Sequence, residues 1–506
     1  MIESLQHVLY GLSLAIQPEN LIYAFIGSLL GTAIGVLPGL GPSTTIAVLL
    51  PITFQTGNPL GALIMLAAIY YGAMYGGSTT SILLKVPGEA ASVITSIDGY
   101  EMAKQGRAGP ALAIAAIGSF IAGTLAVFAL SIVGPAFAKV ALTFGPPEYF
   151  ALAVFGLALA STLTGGPPLR GICMALAGVL IGLVGVDTMT GVPRLTFGRL
   201  ELSDGIPLVP MLMGLFGLGE IIYNLEKKSD VNLLTTTIGR IFPSRQDWRE
   251  SKGPIARGSV LGFLVGLIPG GGAILGSLLS YTVEKRISKT PENFGKGAIA
   301  GVAGPESANN SAAVAAFIPL LTLGLPGNAV TAVLFGGLLI QNVEPGPLIL
   351  VKHADIFWGV IASMYLGNVM LLILNLPLVG LWVQLLRVPF WILGPAVLVV
   401  SIFGTYTLRN SWFDVGALMV SGVFGYVFRK ANLDCGPLVM AFILADILDT
   451  SLRQSLLMGD GNLSIMFLRP ISAVILGLAI VIIAMTLYSH FFASRKNTAT
   501  SSEIGA

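Results

Sequence analysis

Long apolar runs recur from one end of the chain to the other. They lie near residues 60–84, 109–139, 148–165, 170–187 and 205–225, and again near 297–323, 355–383, 390–407, 411–428, 436–451 and 470–491. Each approaches the roughly 20 apolar residues that a helix needs to cross a bilayer. The pattern therefore predicts an all-α integral membrane protein of about ten to twelve transmembrane helices. Two stretches depart from it. At 22–54 and 258–284 an apolar segment is broken at its middle, by GVLPGLGPSTT and by GLIPGGGAILG. The arms beside each break run to about 12–16 residues, roughly 18–24 Å of helix, short of the roughly 30 Å hydrocarbon core. Helices that enter, break and return fit these stretches better than full spans.

The two broken stretches also form an internal repeat, the first thing to seek in a long chain. Gly31, Gly35, Pro38, Gly39 and Gly41 recur as Gly262, Gly266, Pro269, Gly270 and Gly272, at a constant offset of 231. Downstream, LLKVPGEAA with Pro87, Gly88 and Ala90 matches LTLGLPGNAV with Pro326, Gly327 and Ala329, now at 239. Weaker matches continue, with Phe155-Gly156 against Phe403-Gly404, Gly178 against Gly422 and Pro210 against Pro437. The organisation expected is a first membrane repeat over 1–225, a basic cytoplasmic loop over 226–257, a second repeat over 258–469, an extra transmembrane helix over 470–491 and a cytoplasmic tail over 492–506.

Charge orients the halves. Cytoplasmic loops are enriched in Lys and Arg, and 226–257 holds seven of them against four acids. With that segment inside, the first hairpin is flanked by external sequence, and no Lys or Arg precedes Lys85. The second hairpin is flanked by Arg257, Lys285, Arg286 and Lys289, so both its ends are internal. Matching motifs enter from opposite faces, the inverted-repeat plan in which broken helices meet near the midplane to form a substrate site. Arg194, Arg199, Lys352 and Arg453 fall outside and run against the rule.

Composition narrows the function. Only 10% of the 506 residues are Asp, Glu, Lys or Arg, against roughly 25% in a soluble domain, and the net charge of +2 argues against a nucleic-acid partner. Cys173 and Cys435 lie far apart in apolar surroundings and read as structural thiols. The N-terminus has no basic region and no cleavage signal, so it is expected to be retained, as an interfacial amphipathic helix. There is no phosphate-binding GxxxxGK[ST] loop for ATP. The three histidines lack metal-ligand spacing.

Non-helical backbone at membrane depth is tolerated only where protein or water covers it, so four Pro-Gly breaks imply a polar cavity. Free N–H groups at a half-helix start suit an anion, and free carbonyls at a half-helix end suit a cation. The candidates for a carboxylate ligand are Gly39, Gly41, Ser43 and Thr44 at the first break, with Gly270, Gly271 and Gly272 in the matching hairpin. Ser78, Thr79, Thr80 and Gly88 join them, as do Ser307, Asn309, Asn310, Ser311, Gly327 and Asn328. The stretches Gly76–Ser81 and Gly304–Ser311 are read as counterparts. They are costly in apolar segments unless satisfied by one another or by a ligand. Thr45, Thr80, Glu306 and Asn310 are candidate sodium ligands, and Glu306 is equally a proton-titrating group or a surface acid. Ser43, Glu89 and Asn328 have helix capping as the plainer reading. Asp446 and Asp449, with Glu220 as rough counterpart, are intramembrane acids that suit helix pairing or ion coupling.

At GTAIGVLPGLGPSTT, YYGAMYGGSTTSILLKVPGEAAS, GLIPGGGAILGS and GPESANNSAAVAAFIPLLTLGLPGNA the chain resembles the large membrane subunit of the tripartite tricarboxylate transporters, over nearly its whole length. The resemblance implies a secondary transporter of the bacterial inner membrane, not an enzyme, without a cofactor beyond the coupling sodium ion or proton. It implies import of citrate or a related carboxylate by an elevator-like movement, and two partners: a small membrane subunit and a periplasmic solute-binding protein. A channel, a carrier of another solute class and an intramembrane aspartyl hydrolase using Asp446 are the alternatives. The first is disfavoured because the polar residues cluster at the breaks instead of lining whole helices.

Overall fold

A computed structural model describes residues 2–37, 40–162, 167–226, 240–270, 272–385 and 390–503. The expected apolar runs become helices with small shifts of boundary, including Pro59–Leu84, Ala108–Ala141, Leu208–Glu226, Ala354–Asn375 and Cys435–Met458. Among the described residues seven helices are long and apolar enough to cross a membrane, Pro18–Val36 and Pro470–Tyr488 completing the set. Pro42–Phe54, Pro168–Gly182 and Ala329–Ile340 are shorter apolar helices. The run expected at 170–187 ends earlier, at Gly182, and gives way to a two-residue ladder pairing Gly185–Val186 with Pro193–Arg194. The chain is an all-α integral membrane protein.

Both broken stretches are helical hairpins, but longer than the apolar pattern implied. The outgoing helices are Pro18–Val36 and Arg245–Gly266, of 19 and 22 residues; the returning ones are Pro42–Phe54 and Gly272–Ile287, of 13 and 16. The second hairpin thus begins well before position 258. Ser244 and Asp247 form a capping box, with the Ser244 hydroxyl accepting from the Asp247 N–H at 3.1 Å and the Asp247 carboxylate accepting from the Ser244 N–H at 2.8 Å. Two otherwise orphaned donors are satisfied there, so polar sequence assigned to the loop 226–257 continues the helix. Residues 227–239 of that loop lie outside the described residues.

Glycines explain why each outgoing helix lies so close to the next spanning helix. Gly27, Gly31 and Gly35 press on the backbone carbonyls of Met65, Ile69 and Ala73, and Gly258, Gly262 and Gly266 press on those of Gly304, Ala308 and Ala312. A methyl group at any of the six would overlap the facing oxygen. Small residues at four-residue spacing are how membrane helices bring backbones together. The first trio maps onto the second at an offset of 231, and its partners map at 239. The repeat is therefore carried by interhelical contacts as well as by sequence. The same register relates Lys85 to Gly324, which end the two spanning stretches with φ of 58° and 69°.

That register corrects one expectation. At 239 the counterpart of Gly304–Ser311 is the apolar stretch 65–72, and that of Gly76–Ser81 is 315–320. The two polar stretches are not equivalent by the repeat. They are neighbours, because Pro59–Leu84 and Ala300–Ala315 pack against each other.

Two of the four charges that ran against the orientation rule, Arg194 and Arg453, are neutralised locally. Arg194 bonds Asp449 at 2.9 Å and also pairs with Asp187, while Arg453 bonds Asp187 at 2.8 Å and Asp449 at 2.9 Å. Two arginines and two aspartates close a ring that ties the 183–207 segment to the Cys435–Met458 helix. Asp449 is thereby a pairing residue. Glu220 pairs with Arg429 at 3.2 Å, and Asp446 is exposed. The N-terminal helix Ile2–Ala15 lies along Ala354–Asn375, with Gly11 against the Trp358 carbonyl and the His7 ring stacked 5.2 Å from Trp358.

Candidate substrate and ion site

In each repeat the Pro-Gly break of the spanning helix is seated on its hairpin. Gly88 lies against the Gly35 carbonyl, where no side chain fits. In the other repeat the Gly327 carbonyl accepts from the Gly270 N–H at 2.8 Å, and Gly270 holds φ of 86°, in the region that favours glycine. Gly39 and Gly271 lie outside the described residues. Gly272, with φ of 58°, approaches Asn328.

The returning helix Pro42–Phe54 starts at Gly41 with Pro42 in its first turn and no side-chain cap. A helix start leaves its first N–H groups without intrahelical partners, so this end suits an anion. Gly41 has open space where a side chain would stand, and Ser43 is half-buried beside it. The hydroxyls of Thr44 and Thr45 are committed elsewhere, to the Phe216 carbonyl at 2.8 Å and the Gly41 carbonyl at 3.1 Å. Phe216 lies in a π-helical turn, Met213–Leu218, inside Leu208–Glu226.

The densest polar cluster forms where the spanning helices of the two repeats meet. Glu306 is fully buried, not a surface acid. It accepts from the Ser78 hydroxyl at 2.5 Å and from the Thr95 hydroxyl. Asn310 donates to the Glu306 carbonyl at 3.1 Å and to Ser119 Oγ at 2.6 Å. Asn309 donates to Glu89 at 2.9 Å, and Glu89 in turn caps the turn Ala90–Val93 by accepting from the Ala91 N–H at 2.7 Å. Asn328 also caps a helix, in a box with Thr331, and donates to the Tyr70 hydroxyl at 3.1 Å. Capping is thus what Glu89 and Asn328 do locally, and each adds one bond to the opposite repeat.

Other candidates are spent within their own surroundings. Thr80 donates to the Gly77 carbonyl at 3.0 Å and Ser311 to the Ser259 carbonyl at 2.6 Å. Thr79 lines a small niche together with Ser78, Ser119 and Asn375. Ser307 Oγ, Asn309 Oδ1, Asn310 Oδ1 and Asn375 Oδ1 are buried without a hydrogen-bond partner among the described residues. Ser119 and Asn375 could not be read from the sequence because each is a lone polar residue in an apolar helix, and Thr95 because it starts the ordinary polar helix Thr95–Lys104; only the fold brings them to the cluster.

Residues 21–440 match the description "Tripartite tricarboxylate transporter TctA family". The chain belongs to this family. The TctA match covers both hairpins and the whole polar crossing. An uncharacterized 52.8 kDa protein of Agrobacterium vitis, from the region 3′ of ttuC′ in TAR-I, is 47% identical over 487 residues, covering 96% of this chain and 97% of that protein. An uncharacterized protein from the corresponding TAR-II region of the same organism is 46% identical over 226 residues, 45% of this chain and 93% of its own length. No solved structure matches significantly. This TctA chain is a multi-pass membrane protein of a transporter family.

Proposed function

We propose that this TctA protein imports a tricarboxylate, such as citrate, or a related organic acid across the bacterial inner membrane. A sodium or proton gradient drives it, in company with a small membrane subunit and a periplasmic solute-binding protein. The observation that carries the reading is the buried polar crossing of two broken-helix repeats, where Ser78, Glu306, Asn309 and Asn310 from opposite halves meet. Polar residues so deep in a membrane protein mark substrate and ion pathways, and repeats that cross at broken helices are a transporter plan. The uncapped start at Gly41, Ser43 and Thr44 receives the carboxylate, with the glycines at 270–272 and the Gly88 and Gly327 breaks giving backbone room. The niche beside Ser78 has a volume of about 10 Å³, the room of about one water. The niche is thus too small for a carboxylate, and an elevator-like movement of the hairpin-bearing region against the rest carries the substrate across.

The test is uptake of labelled citrate and dicarboxylates by proteoliposomes holding the three components. Uptake at full rate with neither a sodium nor a proton gradient would overturn the coupling. Ser78→Ala and Asn310→Ala each remove a charge-assisted or networked bond of about 1.5–3 kcal/mol, or roughly 10- to 150-fold in rate. Unchanged kinetics in both would remove the crossing from the pathway.

A further inference from the structure

Three amides at this junction are held with their carbonyl oxygens idle, and two of them, Asn375 and Asn310, stand at the niche. Asn375, 6% exposed, points Nδ2 at the Leu371 carbonyl at 2.9 Å and at Thr32 Oγ1 at 3.3 Å. Asn310, 2% exposed, points Nδ2 at the Glu306 carbonyl and at Ser119 Oγ. A carbonyl can only accept, so these contacts fix both amide orientations. Each Oδ1 is then left as a buried acceptor without a donor among the described residues. Leaving such an acceptor unpaired costs on the order of 1–3 kcal/mol. Asn375 lines the one-water niche with Ser78, Thr79 and Ser119, and Asn310 is bonded to Ser119 at its wall. Hydroxyls can serve as donors or acceptors, so Ser78, Thr79, Ser119 and Asn375 can each present a lone pair on one side of the niche, while Tyr75, Leu112, Ala115 and Ala116 close the rest of it.

We infer that the niche is a site for a monovalent cation of sodium size, held by Asn375 Oδ1 and the hydroxyls of Ser78, Thr79 and Ser119, with Asn310 beside them. Neutral carbonyl and hydroxyl oxygens are the ligands hard cations take. A divalent ion is disfavoured because such sites draw on carboxylates. Glu306 reaches the niche only through Ser78, and among the described residues no group of three His, Cys, Asp or Glu is placed to hold a metal ion. Of the sodium ligands expected on sequence grounds, Asn310 stands beside the site through Ser119, Glu306 is one bond removed behind Ser78, and Thr45 and Thr80 lie apart, their hydroxyls serving the Gly41 and Gly77 carbonyls.

The placement gives the ion a mechanical role. Its ligands come from Pro59–Leu84, Ala108–Ala141 and Ala354–Asn375, with Asn310 of Ala300–Ala315 alongside, so both repeats are bridged. An ion bound only when these helices are together favours that arrangement by its differential affinity. Only this consequence rests on the transport reading; the site itself rests on the oxygens.

The test is thermal unfolding of the purified full-length protein, titrated with sodium chloride against potassium and choline chloride at constant ionic strength. Sodium is expected to raise the midpoint saturably, with potassium and choline inert. Asn375→Ala and Ser119→Ala should each raise the half-saturating sodium at least about tenfold, the order seen when metal-site partners are lost. Asn375→Asp, nearly isosteric, decides if the alanine variants do not fold, because sodium binding then releases a proton and the half-saturating sodium must fall as pH is raised, which it does not do in the natural protein. No sodium response in the natural protein would mean a bound water only and overturn the inference. A response that none of the variants shifts would overturn it as well, by placing the ion elsewhere. A sodium response without carboxylate uptake would sustain the site and sink the proposed function.

Discussion

The places where each repeat reaches into the other are equivalent in position and opposite in chemistry. In one, Glu89 follows the first Pro-Gly break and bonds Asn309. In the other, Asn328 follows the second break and bonds Tyr70, and the offset of 239 maps each of these residues onto its counterpart. The same offset takes Ser78 to Phe317 and Glu306 to Ala67. So the polar crossing has an aromatic twin, with the Tyr70 and Phe317 rings 6.1 Å apart. The hairpins differ too. In the second, the arms pack along each other and Gly276 comes close to Gly262. In the first, the returning helix leaves its partner and packs on Pro59–Leu84, Phe390–Arg409, Leu208–Glu226 and Ala329–Ile340, with Gly404 against Pro51 and Gly217 against Val48. Among the described residues a duplicated scaffold thus carries one polar crossing, and its two hairpins stand in different postures.

The strongest way to break the comparison is to overfill the contacts both repeats share. Gly31→Leu and Gly262→Leu each drive a side chain into a facing backbone, which costs about 1–3 kcal/mol or more even where packing can adjust. Both are expected to abolish the monodisperse protein on size-exclusion chromatography. Tolerance of one and not the other would show that the glycine ladders are not equivalent.

Asp98 tests a tie that only one repeat has. Fully buried, it accepts from the N–H groups of Gly295, Gly297 and Ala298 at 2.8, 2.8 and 2.9 Å and from the Tyr281 hydroxyl at 2.9 Å. Its counterpart by the repeat is Gly337, which packs on Leu66. Asp98→Ala strands buried donors and is expected to cost on the order of 3–5 kcal/mol, read as a lowered unfolding midpoint. Gly337→Ala, where a methyl would press on Leu66, should cost less. The reverse order would mean that the tie is incidental.

At the crossings themselves the effect moves from stability to transport. Glu89→Ala removes two buried bonds, to Asn309 and to the Ala91 N–H, and is expected to lower uptake about 10- to 100-fold, whereas Tyr70→Phe removes one and should cost about fivefold or less. Equal losses would show that the aromatic twin is also part of the pathway.

Much of this was legible in the sequence, and what was not has physical reasons. Gly31, Gly35, Gly262 and Gly266 announced the repeat, since close backbone approach leaves glycine in the sequence whatever surrounds it. Helix ends were misplaced where polar residues continue a helix, as at Arg245–Arg257, because hydropathy sees the membrane boundary and not the hydrogen-bonded one. Gly76–Ser81 and Gly304–Ser311 looked like twins because both are polar and small. Their true relation is contact across the interface, which no one-dimensional alignment records. Ser119 and Asn375 reach the niche from distant helices, and a single polar residue in an apolar run carries no sign of its neighbours. Arg194 and Arg453 looked like exceptions to orientation until their aspartates were found beside them.

The smallest expected effect concerns a feature of the first repeat alone. The loop between Pro168–Gly182 and Leu208–Glu226 is long enough to fold back on Cys435–Met458, while the matching connection in the second repeat, 431–434, is a short turn. Arg194 beside Asp187, aided by the Met189 N–H, holds that carboxyl well below the usual carboxylate range. A depressed value in the folded state means the ring stabilises the loop at every pH above the ordinary carboxylate range, and loses that contribution as pH falls towards the depressed value. The unfolding midpoint of Asp187→Asn should therefore lie below that of the natural protein by a constant margin from pH 8 to about pH 5, narrowing only in more acid solution. A margin that widened as pH fell from 8 to 5 would show that Asp187 is not held as a carboxylate by its arginines, and a lock that distinguishes the first repeat from the second would be lost.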